Sequence, residues 1–356
     1  LIFYGLVPNL VARPIHMALA LPWVFLFATV DRSLWSGGLF AGAGILGCIY
    51  IVLNEAALSD QYGSLEGGVQ VVLAAVLLIV VLEMARRAIG WPLPMVAALA
   101  LAYGLFGDLL PGEFGHPGLP VESFLGTLTI AEGGLWGSLT GVSVNIVAVF
   151  VIMGAVLNVG EAGQGFMNLA SAAAGRLKGG AAKVSVLSSA LFGSISGSAS
   201  ANVASTGAIT LPAMRKLGYP KPFAAAVEAV ASSGGQIMPP LMGAGAFVMV
   251  ELTGVPYTGI ISAAVLPALL YFAAVWIGIN AFTERFDLKG LAAEDQPALR
   301  TVVITTLFFA IPFMALLERM FIGGYTPQYA ACVAILVAVL MLFVDVQLTF
   351  SWTRTW

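Results

Sequence analysis

The sequence predicts an all-α polytopic membrane protein, and its composition and the spacing of its apolar blocks carry that prediction. Of its 356 residues, 60% are apolar and only 9% charged, where a soluble domain carries about 25% charged residues. Mean hydropathy is +0.97. The apolar residues come in repeated blocks of about 20, which span a hydrocarbon core of about 30 Å at about 1.5 Å per residue. Blocks of that length exclude the short strands of an outer-membrane barrel. Net charge is -3 with no basic tail, so nucleic acid is excluded as a partner. Membrane lipid is the expected surrounding. Cys48 and Cys332 lie inside apolar runs without metal-ligand or disulfide spacing. His16 and His116 lie near span ends and read as interfacial.

Four spans fall near 15–30, 37–54, 69–85 and 91–110, with Trp35 and Trp91 at borders where an indole ring meets lipid and its N–H stays wet. The loop PGEFGHPGLPVES, 111–123, is the densest Pro/Gly punctuation and predicts a boundary between a four-helix module, 1–114, and a second domain, 115–356. In the second domain, 124–141 is expected along the membrane surface. Crossings or segments follow at 142–160, 164–183, 223–250, 259–281, 301–318 and 327–345. Lys and Arg collect in cytoplasmic loops. Placing Arg32, Arg86, Arg87, Arg176, Lys178, Lys183, Arg285, Lys289, Arg300 and Arg354 there closes the span count, leaving out Arg13 and Arg319. The chain begins at Leu1 without a signal-peptide pattern, and is expected to be a fragment.

The stretch SALFGSISGSASANVASTGAITLPAM, 189–214, needs separate treatment. Basic residues precede it (Arg176, Lys178, Lys183) and follow it (Arg215, Lys216, Lys221), so a simple crossing would strand one cluster on the wrong side. Residues 184–214, 31 in all, would measure about 46 Å as one helix, more than the core. Two half-helices with a polar tip near 197–202 fit: a re-entrant hairpin. The alternative is a helix-packing face, since Gly193 and Gly197 form GxxxG.

Downstream, VEAVASSGGQIMPPLMGAGAFVM, 227–249, predicts a crossing broken at Gly234, Gly235, Pro239 and Pro240, against the alternative of a simple proline kink. Broken helices at membrane depth make transporter sites, their C-termini receiving cations and their N-termini anions. No Lys, Arg, Asp, Glu or His occurs from Val184 to Met214, so the tip suits a hard monovalent cation such as sodium, held by hydroxyl, amide and carbonyl oxygens. Such a cation offsets an anionic substrate's charge, and reciprocal strengthening of the two binding events gives symport its physical reason. Glu228, four residues before Ser232, reads either as a proton-coupling group or as a structural clasp with Lys221 or Arg215.

GSISGS…ANVASTG followed by EAVASSGGQIMPP resembles the first hairpin and broken helix of the large membrane subunit of TRAP transporters, specifically the TAXI subgroup, whose small and large membrane components are fused. RPIHMALALPWVFLF and WPLPMVAALALAYGLFGDLLPG are similar to that subgroup's small-subunit region. The resemblance implies an elevator-type, sodium-driven importer of small carboxylates, not an enzyme and without a cofactor. It further implies a bacterial or archaeal cytoplasmic (inner) membrane and delivery by a periplasmic binding protein of the TAXI type. Carried over by position, Ser196, Gly197, Ser198 and Asn202 hold the cation together with Ser233, Gly234 and Gly235. Ser200, Thr206, Gln236, Pro239 and Pro240 border the substrate. The family carries a second, inverted copy of hairpin and broken helix, and none follows Trp356, so the expectation is the first half of a transport domain. The rival readings are an intramembrane serine protease, and a channel or stand-alone carrier that needs no binding protein.

Overall fold

The computed structural model describes residues 7–27, 34–292, 294 and 296–350. Arg32 and Arg354, used above for orientation, lie outside them. Regular structure among the described residues is helical, apart from one isolated bridge, Val344 to Phe350. Seven helical stretches are long and apolar enough to cross a membrane, among them Gly67–Ile89, Tyr257–Phe286 and Leu299–Ile322. The protein is an all-α polytopic membrane protein.

The chain divides into two compact units, Leu1–Val144 and Asn145–Trp356. The sequence placed the boundary thirty residues earlier, at 114/115. The first unit holds α1 (Asn9–Pro22), α2 (Leu34–Leu53), α3 (Glu55–Asp60), α4 (Gly67–Ile89), α5 (Pro92–Phe106), α6 (Val121–Thr129) and α7 (Ser138–Val142). Leu10, Met17 and Leu21 recur at helical spacing on α1 and meet Phe25, Ile51 and Leu77 in one core. Trp136, fully buried, belongs to that same core, and its indole N–H donates to Thr129 O at 2.6 Å. A Cβ on Gly126 would fall 2.1 Å from Gly63 O, so α6 lies with its backbone against the turn before α4. These contacts carry the first unit past the Pro/Gly loop, because punctuation marks a turn and not the end of a core.

Arg86 and Arg87, taken as loop cations, both pair with Glu83, at 2.6 and 2.7 Å. Arg87 is buried over the rings of Phe25 and Phe40. The two histidines are engaged within this unit, His16 with Ser143 Oγ at 3.1 Å and His116 with Tyr103 O at 2.9 Å.

The second unit holds α8 (Ala148–Val159), α9 (Ala162–Ala174), α10 (Gly180–Ser196), α11 (Ala199–Lys216), α12 (Lys221–Ser233), α13 (Ala244–Thr253), α14 (Tyr257–Phe286), α15 (Leu299–Leu317) and α16 (Pro327–Leu342). The segment expected at 164–183 is shorter: α9 stops at Ala174, and Gly179 in a left-handed conformation starts α10. Lys183 therefore lies inside α10, buried with its ammonium over Trp276 at 5.1 Å, and is no loop cation. Helices α10 and α11, of 17 and 18 residues, are joined by two residues and run back along each other for about 26 Å. Ala181 and Val184 of α10 share a cavity with Ala213 and Lys216 of α11, so the hairpin's open end carries the exposed Lys178 and Lys216 together.

With Lys183 buried, the topology is best read at Lys178 and Lys216. In a background with Cys48 and Cys332 replaced by Ala, Lys178→Cys and Lys216→Cys are expected to react with an impermeant maleimide from the same side of right-side-out vesicles; labelling from opposite sides would refute a re-entrant hairpin.

Candidate functional site: the hairpin tip and the broken helix

Helix α10 ends because Gly197 adopts φ +59, its N–H closing on Gly193 O at 3.0 Å. Ser198, extended, then caps α11 by accepting from Ala201 N–H at 3.3 Å. The chain thus reverses in two residues. A Cβ on Gly197 would also sit 1.8 Å from Met242 O, so both conformation and space call for glycine there.

The break has its own anatomy. Helix α12 stops at Ser233, Gly234–Gln236 form one tighter turn, Pro239–Pro240 is cis, and α13 starts after Gly243. Backbone polar groups freed by the break must find partners at such depth. Gly243 N–H donates to Gln236 O at 2.7 Å and Leu241 N–H to Ser194 O at 3.3 Å. Tyr257 Oη donates to Pro240 O and Leu241 O, and Tyr271 Oη to Val230 O at 2.7 Å.

Tip and break touch. A Cβ on Gly193 would fall 2.3 Å from Gly235 Cα, and one on Gly235 would fall 2.7 Å from Asn202 Nδ2. A cavity of about 680 Å³ opens beside this contact, lined by Gly197, Ser198, Gln236, Met242, Gly243 and Ala246 among others. The N-termini of α11 and α13 both face it, and no basic side chain lines it.

Beneath the tip lies a buried polar layer. Asn202, fully buried, donates to Ser189 O at 2.9 Å and Ser232 O at 3.4 Å, bracing the hairpin against α12. Glu228, 1% exposed, accepts from Ser185 Oγ at 2.8 Å, Thr206 Oγ1 at 2.5 Å, Ser232 Oγ at 3.2 Å and Thr210 Oγ1. The clasp expected with Lys221 or Arg215 is replaced by four hydroxyls, because Glu228 turns into the hairpin interface and away from the basic ends of α11 and α12.

The structure therefore sorts the sequence-predicted residues. Gly197, Ser198 and Gln236 line the cavity. Ser196 is half-buried beside it, its Oγ 3.5 Å from Ser198 N, and Ser200 is exposed with its Oγ 3.3 Å from Ser198 Oγ. Gly235 is sandwiched between Gly193 and Asn202, while Gly234 packs on Tyr271 and Phe272. Asn202 and Thr206 belong to the buried layer and not to an open tip. Ser233 turns outward, donating to Ala229 O at 2.8 Å. Pro239 and Pro240 line a separate apolar cavity of about 290 Å³ with Phe313 and Phe321. Sequence reasoning missed Ser185, Ser189, Thr210 and Ser232 as a set. Their signal was present: Ser185/Ser189, Asn202/Thr206/Thr210 and Glu228/Ser232 repeat at four-residue spacing, one polar stripe per helix.

Residues 76–355 match the family model described as tripartite ATP-independent periplasmic transporter, DctM component, a stretch that contains hairpin, break and cavity. The chain belongs to this family. The DctM-family chain is 29% identical over 191 residues to the C4-dicarboxylate TRAP transporter large permease protein DctM of Pseudomonas aeruginosa, covering 52% of the chain and 43% of that protein. It is 31% identical over 175 residues to the isethionate TRAP transporter permease protein DctMQ of Oleidesulfovibrio alaskensis, 44% of the chain and 28% of that protein. It is 24% identical over 261 residues to the ectoine TRAP transporter large permease protein TeaC of Halomonas elongata, 72% of the chain and 56% of that protein. The chain thus spans about half or less of the length of these relatives. The DctM family is one of transporter permeases, and membership together with the apolar helices makes this a multi-pass protein of the bacterial inner membrane.

The Gly193 contact with Gly235 has no room for a side chain. Gly193→Ala is expected to cost about 1–3 kcal/mol, read as a lowered thermal midpoint in detergent. Gly278→Ala, where a Cβ meets nothing within 4 Å, should leave the midpoint unchanged or raised.

Proposed function

We propose that this chain carries the substrate and ion site of a TRAP permease of the fused TAXI type, importing a small carboxylate by sodium symport through elevator-like movement of the hairpin unit. One observation supports this above the rest: the N-termini of α11 and α13 open on one cavity, at the point where α10 and α12 end. Two sets of free N–H groups favour an anion, and the C-terminal ends of α10 and α12 favour a cation beside it. In this reading the carboxylate sits against Ser198, Gly243 and Gln236. Sodium is held by the Ser196 and Ser198 hydroxyls and by carbonyls of Gly197, Ser233, Gly234 and Gly235, with Asn202 bracing the site from below. Ser233 takes part through its backbone, since its hydroxyl is turned away. Among the described residues no group of three His, Cys, Asp or Glu converges, and oxygen from hydroxyls and backbone is the donor set a hard cation prefers.

The names of the relatives support a small organic substrate. C4-dicarboxylate, isethionate and ectoine are small polar organic molecules, and a cavity of about 680 Å³ suits that size. Delivery by a TAXI-type periplasmic binding protein follows from the same reading. The broken helix is the internal hinge that lets tip and break separate. The protease alternative requires a base within reach of a tip serine; a substitution separates the two ideas.

The test is uptake into proteoliposomes bearing the permease, with a labelled dicarboxylate and TAXI binding protein. Uptake is expected to need both an inward sodium gradient and the binding protein. Ser196→Ala should weaken sodium activation several-fold while leaving transport measurable and the thermal midpoint unchanged. Uptake indifferent to sodium and to binding protein would favour a stand-alone carrier or channel, and loss of a peptide-cleaving activity in Ser196→Ala would favour a protease.

A further inference from the structure

Among the described residues, Glu228 is the one acidic side chain in the buried polar set of the second unit. A bare buried carboxylate costs several kcal/mol unless paired or neutralised, and among the described residues no ion pair to Glu228 is formed. On α10 the charged group is Lys183, held over Trp276. On α11 they are Arg215 and Lys216, exposed in its last turn. On α12 Lys221 lies seven residues away, about 10 Å along the helix. On α14 Glu284 and Arg285 lie in the last turn, Arg285 over Phe286, while Tyr271 bonds Val230 O. Helix α9 carries no charged residue.

The hydroxyls around Glu228 bond its carboxylate directly. Here Thr206 Oγ1 and Ser185 Oγ lie 2.5 and 2.8 Å from the carboxylate oxygens, the separation of a direct O–H···O bond.

A count of hydroxyl protons adds a second constraint. Thr206 Oγ1 is within reach of Glu228 Oε1 at 2.5 Å, Asn202 O at 2.8 Å and Asn202 Oδ1 at 3.5 Å, but owns one proton. Thr210 Oγ1 likewise reaches Glu228 Oε2 and Thr206 O, the latter at 3.0 Å. With Glu228 ionised, both threonines donate to it. With Glu228 protonated, its O–H donates to one threonine oxygen, and that threonine turns its own O–H to the carbonyl four residues back. No heavy atom moves and every buried group keeps a partner in both states.

A cavity also approaches the layer. It measures about 200 Å³ at the hairpin's open end, is lined by Ala181, Val184, Ala213, Lys216 and Leu217, and has Thr210 in its wall, the residue whose hydroxyl touches Glu228. On the opposite side, Ser232 Oγ and Ser189 Oγ, 3.4 Å apart, lead from Glu228 to the oxygens that Asn202 holds beneath Gly235.

We propose that Glu228 is a proton-binding site, loaded and emptied through Thr210 from the cavity at the open end of the hairpin, and separate from the ion site at the tip. The proton arrives on a carboxylate oxygen from water in that cavity and returns to it, with no other bond made or broken. Nothing in this depends on the transport reading above, and the test needs no transport.

The purified chain in lipid vesicles is titrated from about pH 4 to about pH 10 by infrared difference spectroscopy. Beside the band of the chain's other carboxyls, one protonated-carboxyl C=O component is expected to titrate in the native chain, to be lost in Glu228→Gln with the thermal midpoint preserved, and to persist when sodium replaces choline at constant pH. Thr210→Val, which removes one hydrogen bond to the carboxylate, is expected to displace the titration midpoint by about one pH unit; should Glu228→Gln not fold, this variant carries the test. That C=O component unchanged in Glu228→Gln or unmoved in Thr210→Val overturns the proposal. So does its absence, or its loss on adding sodium, which would hand the site to the cation.

Discussion

The architecture of the second unit depends on backbone meeting backbone where Gly193 faces Gly235 and Gly197 faces Met242 O. Side chains at those points would hold the reversal of α10 and α11 away from the interruption between α12 and α13. The unpaired backbone groups of both would then lack partners, which costs several kcal/mol at membrane depth. Because the glycines close the gap, Ser194 O receives Leu241 N–H, Asn202 reaches two carbonyls, and the N-termini of α11 and α13 come to line one cavity. Packing of bare backbone, more than any charged pair, holds this region together.

The same contact explains how polarity is distributed. Toward the cavity lie N–H groups, Ser198 and Gln236, with no formal charge. Behind it lie hydroxyls around a single carboxylate. The two layers are joined by Asn202, whose amide belongs to the inner layer and whose neighbour Gly235 belongs to the outer.

Much of this was legible in the sequence. The helical class followed from apolar block length, the hairpin from basic residues on both sides of a chargeless stretch, and the break from Gly234, Gly235, Pro239 and Pro240. These are features of composition along the chain. What could not be read depends on rotation about a helix axis or on partners distant in sequence. Ser232 and Ser233 are adjacent, yet about 100° of rotation sends one inward and the other outward. Lys183 looked like a loop residue because its role depends on Trp276, 93 positions later. Glu228 was matched with nearby basic residues in sequence, whereas its partners are spread over three helices. The domain boundary was placed at the most conspicuous loop, and the burial of Ile130 and Trp136 reveals that the first core continues beyond it.

Helix α14 runs 30 residues, about 45 Å against a hydrocarbon core of about 30 Å. A rod that long must lean or protrude, and its angle responds to bilayer thickness. Its Tyr257 and Tyr271 hydroxyls hold carbonyls at Pro240, Leu241 and Val230, on either side of the interruption between α12 and α13. A change in the lean of α14 would therefore reach both sides of the break through these two hydroxyls.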